Sequence, residues 1–256
     1  MYSSEEIFSR SRRLLGDEAM KRLAEARVII FGVGGVGSWC AESLVRTGVG
    51  HLTIVDCDRV SVSNINRQLM ATVETVGEVK VDALKKHLQT INPTADINAR
   101  AEVFTAETAG DFDLDSYDYI IDAIDSLKDK VLLIDRATRS AAKFYSSMGA
   151  ALKLDPRRIA VAEFRNVKGC PLARALRQRF KKTDSMPRRK FLCVYSDELL
   201  ENVGPTDEDG AVGSLDANGH APSRKAQVNG SLMHITAIFG LTLAGLVIED
   251  ICRRFQ

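Results

Sequence analysis

Along the first 150 residues, short apolar or β-branched runs alternate with stretches of helical period. Val28–Phe31, His51–Val55, Asp96–Ala101, Tyr119–Ile124 and Phe144–Met148 have the length and residue types of strands. Between them the pattern predicts a helix over Gly37–Arg46 that stops at Gly48, and a second over Val76–Thr90 that ends before Asn92-Pro93. A third, capped by Ser126, runs to about Ala142. Strands alternating with helices predict an α/β fold whose sheet is doubly wound and mostly parallel, with helices on both faces.

Past Ala150 the alternation weakens, so residues 1–150 read as a nucleotide-binding half and 151–256 as an embellished second half of one domain. Ile159–Phe164 and Phe191–Tyr195 read as strands, with a basic helix over Leu172–Lys182. Gly204–Gly219, rich in Gly and Asp, reads as a mobile connection. Ala226–Ile248 carries no charge and is long enough to raise the question of a membrane span. Its Asn229, Ser231, His234 and Thr236, the interruptions at Gly240 and Gly245, and the following Glu249-Asp250 favour a buried core helix. Association with a membrane through this helix is the competing use.

Composition adds a location and a charge asymmetry. The N-terminus has acidic residues and no apolar core of a leader, which predicts a cytoplasmic protein. Cys40, Cys57, Cys170, Cys193 and Cys252 are odd in number, widely spaced and read as reduced thiols. No two form a C-x-x-C pair, so no zinc is expected. Lys153–Lys190 holds thirteen Lys or Arg against three acids, which makes it +10 and leaves −9 for the rest of a chain of net charge +1. That density suits a polyanion, because neutralised phosphates release counterions. A solvated loop balanced by acidic neighbours fits the same run.

The chemistry concentrates after the first strand, where Gly32-Val-Gly34-Gly35-Val-Gly37-Ser38 leads into a helix. Amides at such a helix N-terminus bind anions, and glycines let a phosphate approach the main chain. Asp56 ends the next strand nineteen residues after Gly37, placed to meet a ribose. Strand, glycine loop, helix and acid in that order predict a Rossmann-like nucleotide site. Arg67, within Asn64-Ile-Asn66-Arg67-Gln68, and Lys80 supply cations for a triphosphate. Asp122 and Asp125 stand at the C-terminal end of a later strand, where a carboxylate can hold magnesium on phosphate oxygens.

Gly32-x-Gly-Gly-x-Gly-Ser38, Asp56-x-Asp58, Asn64-x-Asn66-Arg67-Gln68, Lys80 and Asp125 together resemble the ATP-adenylating family of ubiquitin-activating enzymes and the adenylyltransferases of thiamine and molybdopterin synthesis. Val-Ser-Asn64-Ile-Asn-Arg-Gln with Arg-Leu-Leu-Gly16 looks most like the bacterial tRNA threonylcarbamoyladenosine dehydratases within it. The likeness extends more weakly through Leu192-Cys193-Val-Tyr-Ser196 to the C-terminal helix. The resemblance implies an ATP and Mg2+ enzyme in which the glycine loop and Ser38 hold phosphate, Asp56 the ribose, Arg67 and Lys80 the triphosphate, and Asp125 the metal. It also implies a homodimer in which an N-terminal arginine, matched by Arg10, reaches the neighbouring subunit's ATP.

The implied reaction is dehydration of threonylcarbamoyladenosine in tRNA through adenylation of its side-chain carboxylate, with Lys153–Lys190 holding the tRNA. The alternative is adenylation of the C-terminus of a ubiquitin-like sulfur carrier. Relatives that pass sulfur or a ubiquitin-like protein often carry paired C-x-x-C motifs and a nucleophilic cysteine. Here Cys193 is the best thiol yet lies in an apolar strand, and Cys57 lies between two acids that would raise its pKa.

Overall fold

The computed structural model describes residues 2–183, 185–204 and 229–253. An N-terminal arm of three helices, α1 (Ser4–Ile7), α2 (Ser9–Leu15) and α3 (Asp17–Glu25), leads into β1 (Arg27–Phe31). Then follow α4 (Gly37–Thr47), β2 (His51–Val55), α5 (Lys80–Ile91), β3 (Asp96–Arg100), β4 (Tyr119–Asp122), α6 (Leu127–Ala137) and β5 (Lys143–Ser147). The second half adds β6 (Ile159–Glu163), α7 (Pro171–Lys182), β7 (Leu192–Ser196) and α8 (Met233–Arg253).

The strands form one sheet in the order β3-β2-β1-β4-β5-β7-β6. Every pairing is parallel except that of β6 with β7 at the edge. Alternation along β1 decides the layers. Val28 and Ile30 face a core with α3, α4, α5 and α8, whereas Ile29 and Phe31 face a second core with α6 and α7. Both faces are therefore covered, as a doubly wound sheet requires. β2 and β3 extend to one side of β1 and β4 onward to the other, so the order reverses between β1 and β4. In open α/β sheets the ligand crevice lies at such a reversal, beyond the C-terminal ends of those two strands.

Helix starts and stops follow local chemistry. Gly48 ends α4 in the left-handed region at φ 109°, where a side chain would be strained. The helix expected from Val76 starts only at Lys80, because the preceding residues pair as extended backbone with the Asp58–Val60 segment. The amide of Gly77 donates to the Val60 carbonyl (2.8 Å), that of Val60 to Glu78 (2.9 Å) and that of Lys80 to Asp58 (3.0 Å). This detour puts Lys80 beside Asp58. The helix expected to reach Ala142 stops at Ala137; the Arg189 guanidinium then donates to the carbonyls of Ala137, Thr138 and Ala142.

The C-terminal helix runs later than expected, from Met233 to Arg253, continuing past Glu249-Asp250 because Asp250 accepts from the Tyr119 hydroxyl (2.6 Å) and pairs with Lys143. It is long and apolar enough to cross a bilayer, yet nine of its residues, among them Ile235, Phe239, Leu243 and Val247, are buried. A Cβ on Gly240 would come within 2.3 Å of the Val36 carbonyl oxygen, so α8 and α4 pack at backbone distance. Of the connection expected over Gly204–Gly219, all but Gly204 lies outside the described residues, as do residues 226–228 of the last apolar segment.

Candidate functional site

The glycine loop leaves β1 at the crevice, and its glycines divide into two kinds. Gly32 has φ 85°, and a Cβ there would stand 2.7 Å from the Ala123 carbonyl oxygen; one on Gly37 would stand 1.8 Å from the Gly32 carbonyl oxygen. These two let the loop fold on itself and against the end of β4. Gly35 lies under α8, with a Cβ there 3.2 Å from Thr236, whereas one on Gly34 would meet only the Gln68 amide, at 3.6 Å. Gly34 is thus the position where a ligand can approach the backbone. α4 begins at Gly37 directly behind the loop, with the Ser38 amide donating to the Gly34 carbonyl (3.2 Å), so the positive end of the helix dipole lies at the loop.

Ser38 departs from its expected phosphate role. It is fully buried, its hydroxyl donating to the Gly34 carbonyl (2.6 Å) and accepting from the Leu69 amide (3.2 Å). It ties the glycine loop to the Arg67-Gln68 segment. Asn64 is likewise buried, and its side-chain oxygen accepts from the Ser61 amide, closing a capping box around a short 3-10 turn. It shapes the segment rather than facing the crevice.

Asp56, Asp58 and Lys80 converge under the loop. Asp56 accepts from the amides of Val33 and Asp58, each at 2.9 Å, so one carboxylate fixes the glycine loop and the turn after β2. The Lys80 ammonium lies 2.7 Å from Asp58 and 4.0 Å from Asp56. Burial raises the Asp56 carboxyl above the ordinary carboxylate range, against the pull of Lys80. Burial also disfavours the Lys80 charge, but the charges of Asp56, Asp58 and Asp125 and the hydrogen bond that Lys80 donates to Asp58 outweigh it, leaving the lysine above its usual value. Cys57, between the acids, is pushed up to about 12, first by burial and then by the charges of Asp58 and Asp56. That thiol is no nucleophile at neutral pH. Cys193 is fully buried, and burial drives its thiol well above the usual range.

Arg67 stands half-buried at the crevice, anchored by its own carbonyl, which accepts from the Trp39 indole (3.1 Å), and by donation to Ser63 O and Asn66 Oδ1. Burial lowers its pKa while the charge of Asp125 supports it. Asp125, exposed at the end of β4, therefore acts on both Arg67 and Lys80 across the crevice. Gln68 is buried, and its side-chain oxygen has no hydrogen-bond partner among the described residues. The Gln68 amide nitrogen, not this oxygen, is the atom that stands nearest Gly34.

Asp122 does not belong to the ligand-binding set. It is wholly buried, ion-paired to the equally buried Lys130 at 2.8 Å and accepting from Ser146 Oγ at 2.6 Å. Lys130 and Ser146 escaped the sequence reading. The available signal was a lysine on the apolar stripe of a helix, at Lys130 with Leu133, Ile134 and Ala137. At the other end of the chain, Arg12 pairs with Glu5 and Asp17, each at 3.2 Å. Arg10 is exposed on α2, and its side chain has no ion pair or hydrogen bond among the described residues.

The residues fit a nucleoside triphosphate with a hard divalent cation: an approachable loop at a helix N-terminus, two cations and one exposed carboxylate. The ThiF family model matches residues 8–253. The tRNA threonylcarbamoyladenosine dehydratase of Bacillus subtilis is 35% identical over 250 residues, spanning 97% of this chain and 96% of its own. The Escherichia coli enzyme of that name is 35% identical over 240 residues, spanning 91% and 88%. The structure of the E. coli dehydratase in complex with ATP superposes with a TM-score of 0.82 at 29% identity, covering 98% of this chain and 96% of that one. Its complex with AMP gives the same score.

Proposed function

The chain belongs to the ThiF family, and from that premise we propose that it is an ATP-dependent tRNA threonylcarbamoyladenosine dehydratase. The observation that carries this reading is the extent of the likeness: the match to dehydratases runs through the second half of the chain as well as the nucleotide half. The sulfur-carrier alternative is not favoured, since the curated relatives at 35% identity are dehydratases over nearly their whole length.

In this reading the carboxylate of threonylcarbamoyladenosine attacks the α-phosphorus of ATP, and pyrophosphate leaves. The carbamoyl nitrogen or oxygen of the same modification then attacks the activated carbonyl and closes a ring while AMP departs. The water oxygen lost from the nucleoside leaves in AMP, so no enzyme nucleophile is required. This agrees with the raised thiols of Cys57 and Cys193.

The chain's task is to orient and to offset charge. Gly34 and the N-terminus of α4 receive phosphate, and the Gln68 amide nitrogen, the side-chain atom nearest Gly34, is the donor that borders that approach. Asp56, already holding Val33, borders the ribose position. Arg67 and Lys80 face the negative charge that grows on the phosphates as the bond to pyrophosphate breaks. Asp125 would hold Mg2+, which supplies Lewis-acid stabilisation of phosphate oxygens when bound. Two chains would form the working dimer, with Arg10 serving the neighbouring site.

The basic segment is sorted by its contacts. Lys153 is buried on the Glu198 carbonyl, Arg157 and Arg158 pair with Asp155 and Asp197, and Arg177 donates to the Phe164 carbonyl. Arg174, Arg179, Lys181 and Lys182 remain exposed on α7, whose Ala173, Leu176 and Phe180 are buried. That face of α7 is the proposed tRNA contact. We place the protein in the cytoplasm, with α8 serving the core.

Incubation with ATP, Mg2+ and tRNA carrying the modification should give a nucleoside lighter by one water, with AMP and pyrophosphate. AMP formation that ignores tRNA but responds to a small protein ending in a free glycine carboxylate would overturn the reading. Elemental analysis is expected to find no stoichiometric zinc, because the chain has no C-x-x-C pair.

A further inference from the structure

We propose that Lys130 is a positioning residue for the adenylation, holding from beneath the turn that presents Asp125. The inference rests on the functional reading above. Lys130 lies on the buried stripe of α6, and neither its side chain nor that of Asp122 is accessible to solvent. Its ammonium reaches under the turn after β4, 2.8 Å from Asp122 Oδ2, and donates to the Ile124 carbonyl at 2.7 Å. The other oxygen of Asp122 accepts from the Ile124 amide at 3.1 Å, and Ser146 Oγ holds Asp122 from β5 at 2.6 Å.

Both backbone polar groups of Ile124 are thus taken by two side chains that are themselves paired. On either side, the Ala123 amide donates to the Phe31 carbonyl (2.8 Å) and the Lys130 amide to the Ser126 carbonyl (3.0 Å). The backbone before and after Asp125 is pinned while its own carboxylate stays exposed. β1, which carries the glycine loop, and the Asp125 turn are tied to one frame.

Energetics argue that the pair is there for geometry. Two ions taken wholly out of water lose hydration that their attraction barely restores, and apolar replacements of similar volume are often as stable or more so. Leu133, Ile134 and Ala137 on the same stripe show that an apolar side chain suits this side of α6. What an apolar residue cannot do is hold the Ile124 carbonyl and orient Asp122. The carboxylate that meets the metal needs just that placement, since a small displacement of a charged group in a catalytic site costs much of its effect.

The test uses the full-length protein. Lys130→Met alone strands a buried carboxylate and is expected to unfold the chain, so the informative variant is Lys130→Met combined with Asp122→Leu, which removes both charges. Ser146→Ala loosens Asp122 from the other side with both charges kept. Both should melt cooperatively and bind ATP in EDTA within about threefold of the parent affinity, yet need about tenfold more Mg2+ for half-maximal AMP release. Amide exchange in peptides covering residues 121–127 should quicken in both, and Lys130→Arg should recover protection and part of the Mg2+ response. Wild-type exchange and wild-type Mg2+ requirement in a folded variant would overturn the proposal; should the double variant not fold, Ser146→Ala decides it. A parent protein that forms no AMP from any modified tRNA would overturn the functional reading instead, and the exchange measurement would still decide whether Lys130 holds the turn.

Discussion

Lys80 reaches Asp58 at 2.7 Å and is only 4% exposed, so the cation assigned to the triphosphate rests on an acidic cluster of the protein itself. A phosphate entering the crevice competes with that carboxylate for the ammonium. Charge placed in this way is organised before the substrate arrives, which is where electrostatic stabilisation gains its strength.

Removal of either pole of the site should abolish turnover with different structural costs. Asp125→Ala replaces an exposed carboxylate and should melt within a few tenths of a kcal/mol of the parent, about ±0.5 kcal/mol, while AMP formation falls by about 100-fold or more. Lys80→Ala should also be inactive and in addition less stable by about 3 kcal/mol, since Asp56 is left buried without its cation. Normal ATP-dependent turnover in either variant would remove that residue from the mechanism.

The pH dependence of stability follows from the same cluster. Folded Lys80 holds its proton more tightly than an unfolded lysine. Its ion pairs therefore contribute fully below about pH 10 and are lost as pH rises through the folded value. Melting temperature against pH should fall on the alkaline side in the parent and flatten there in Lys80→Met. An unchanged alkaline limb would show that the ion pairs contribute little.

The two kinds of glycine make opposite predictions. Gly37→Ala forces a Cβ to within 1.8 Å of the Gly32 carbonyl oxygen and should destabilise the fold by about 3 kcal/mol or more, seen as loss of soluble protein or of a cooperative melt. Gly34→Ala meets only a side-chain amide at 3.6 Å and should fold, yet bind ATP more weakly by calorimetry. If Gly34→Ala binds ATP as the parent does, phosphate does not approach at that position.

Charge reversal at Arg179, Lys181 and Lys182 should weaken tRNA binding, lower its salt dependence and spare ATP affinity. Arg177, which lies in the same basic run, is held at the Phe164 carbonyl and its reversal should cost stability as well. Filter binding across a salt series separates the two. Equal tRNA affinity after the triple reversal would move the RNA to another surface.

Arg10 offers a test of shared active sites. Mixed Arg10→Ala and Asp125→Ala chains, each inactive alone, should regain part of the activity if a site draws Arg10 from one subunit and Asp125 from the other. Heterodimers that form and stay inactive would exclude that arrangement.

How much was legible beforehand depended on the range of the physics. Strand and helix periods, the glycine loop entering α4 and the stop at Gly48 are local, because period, missing side chains and positive φ act within a few residues. The parallel sheet, the order of the ligand motifs and the family likeness were therefore readable along the chain. Tertiary structure decided what long-range contacts decide. Only the fold brings Lys130 and Ser146 to Asp122, turning an expected ligand into a buried brace. Only the pairing of residues 77–80 with 58–60 delays α5 until Lys80 faces Asp58. Ser38 has the right chemistry for phosphate, but only the fold brings the Leu69 amide to its hydroxyl, whereas the bond that occupies Asn64 is a local capping box with Ser61, three residues away. Burial and partner choice depend on residues far apart in sequence, and a pattern read along the chain carries no distance between them.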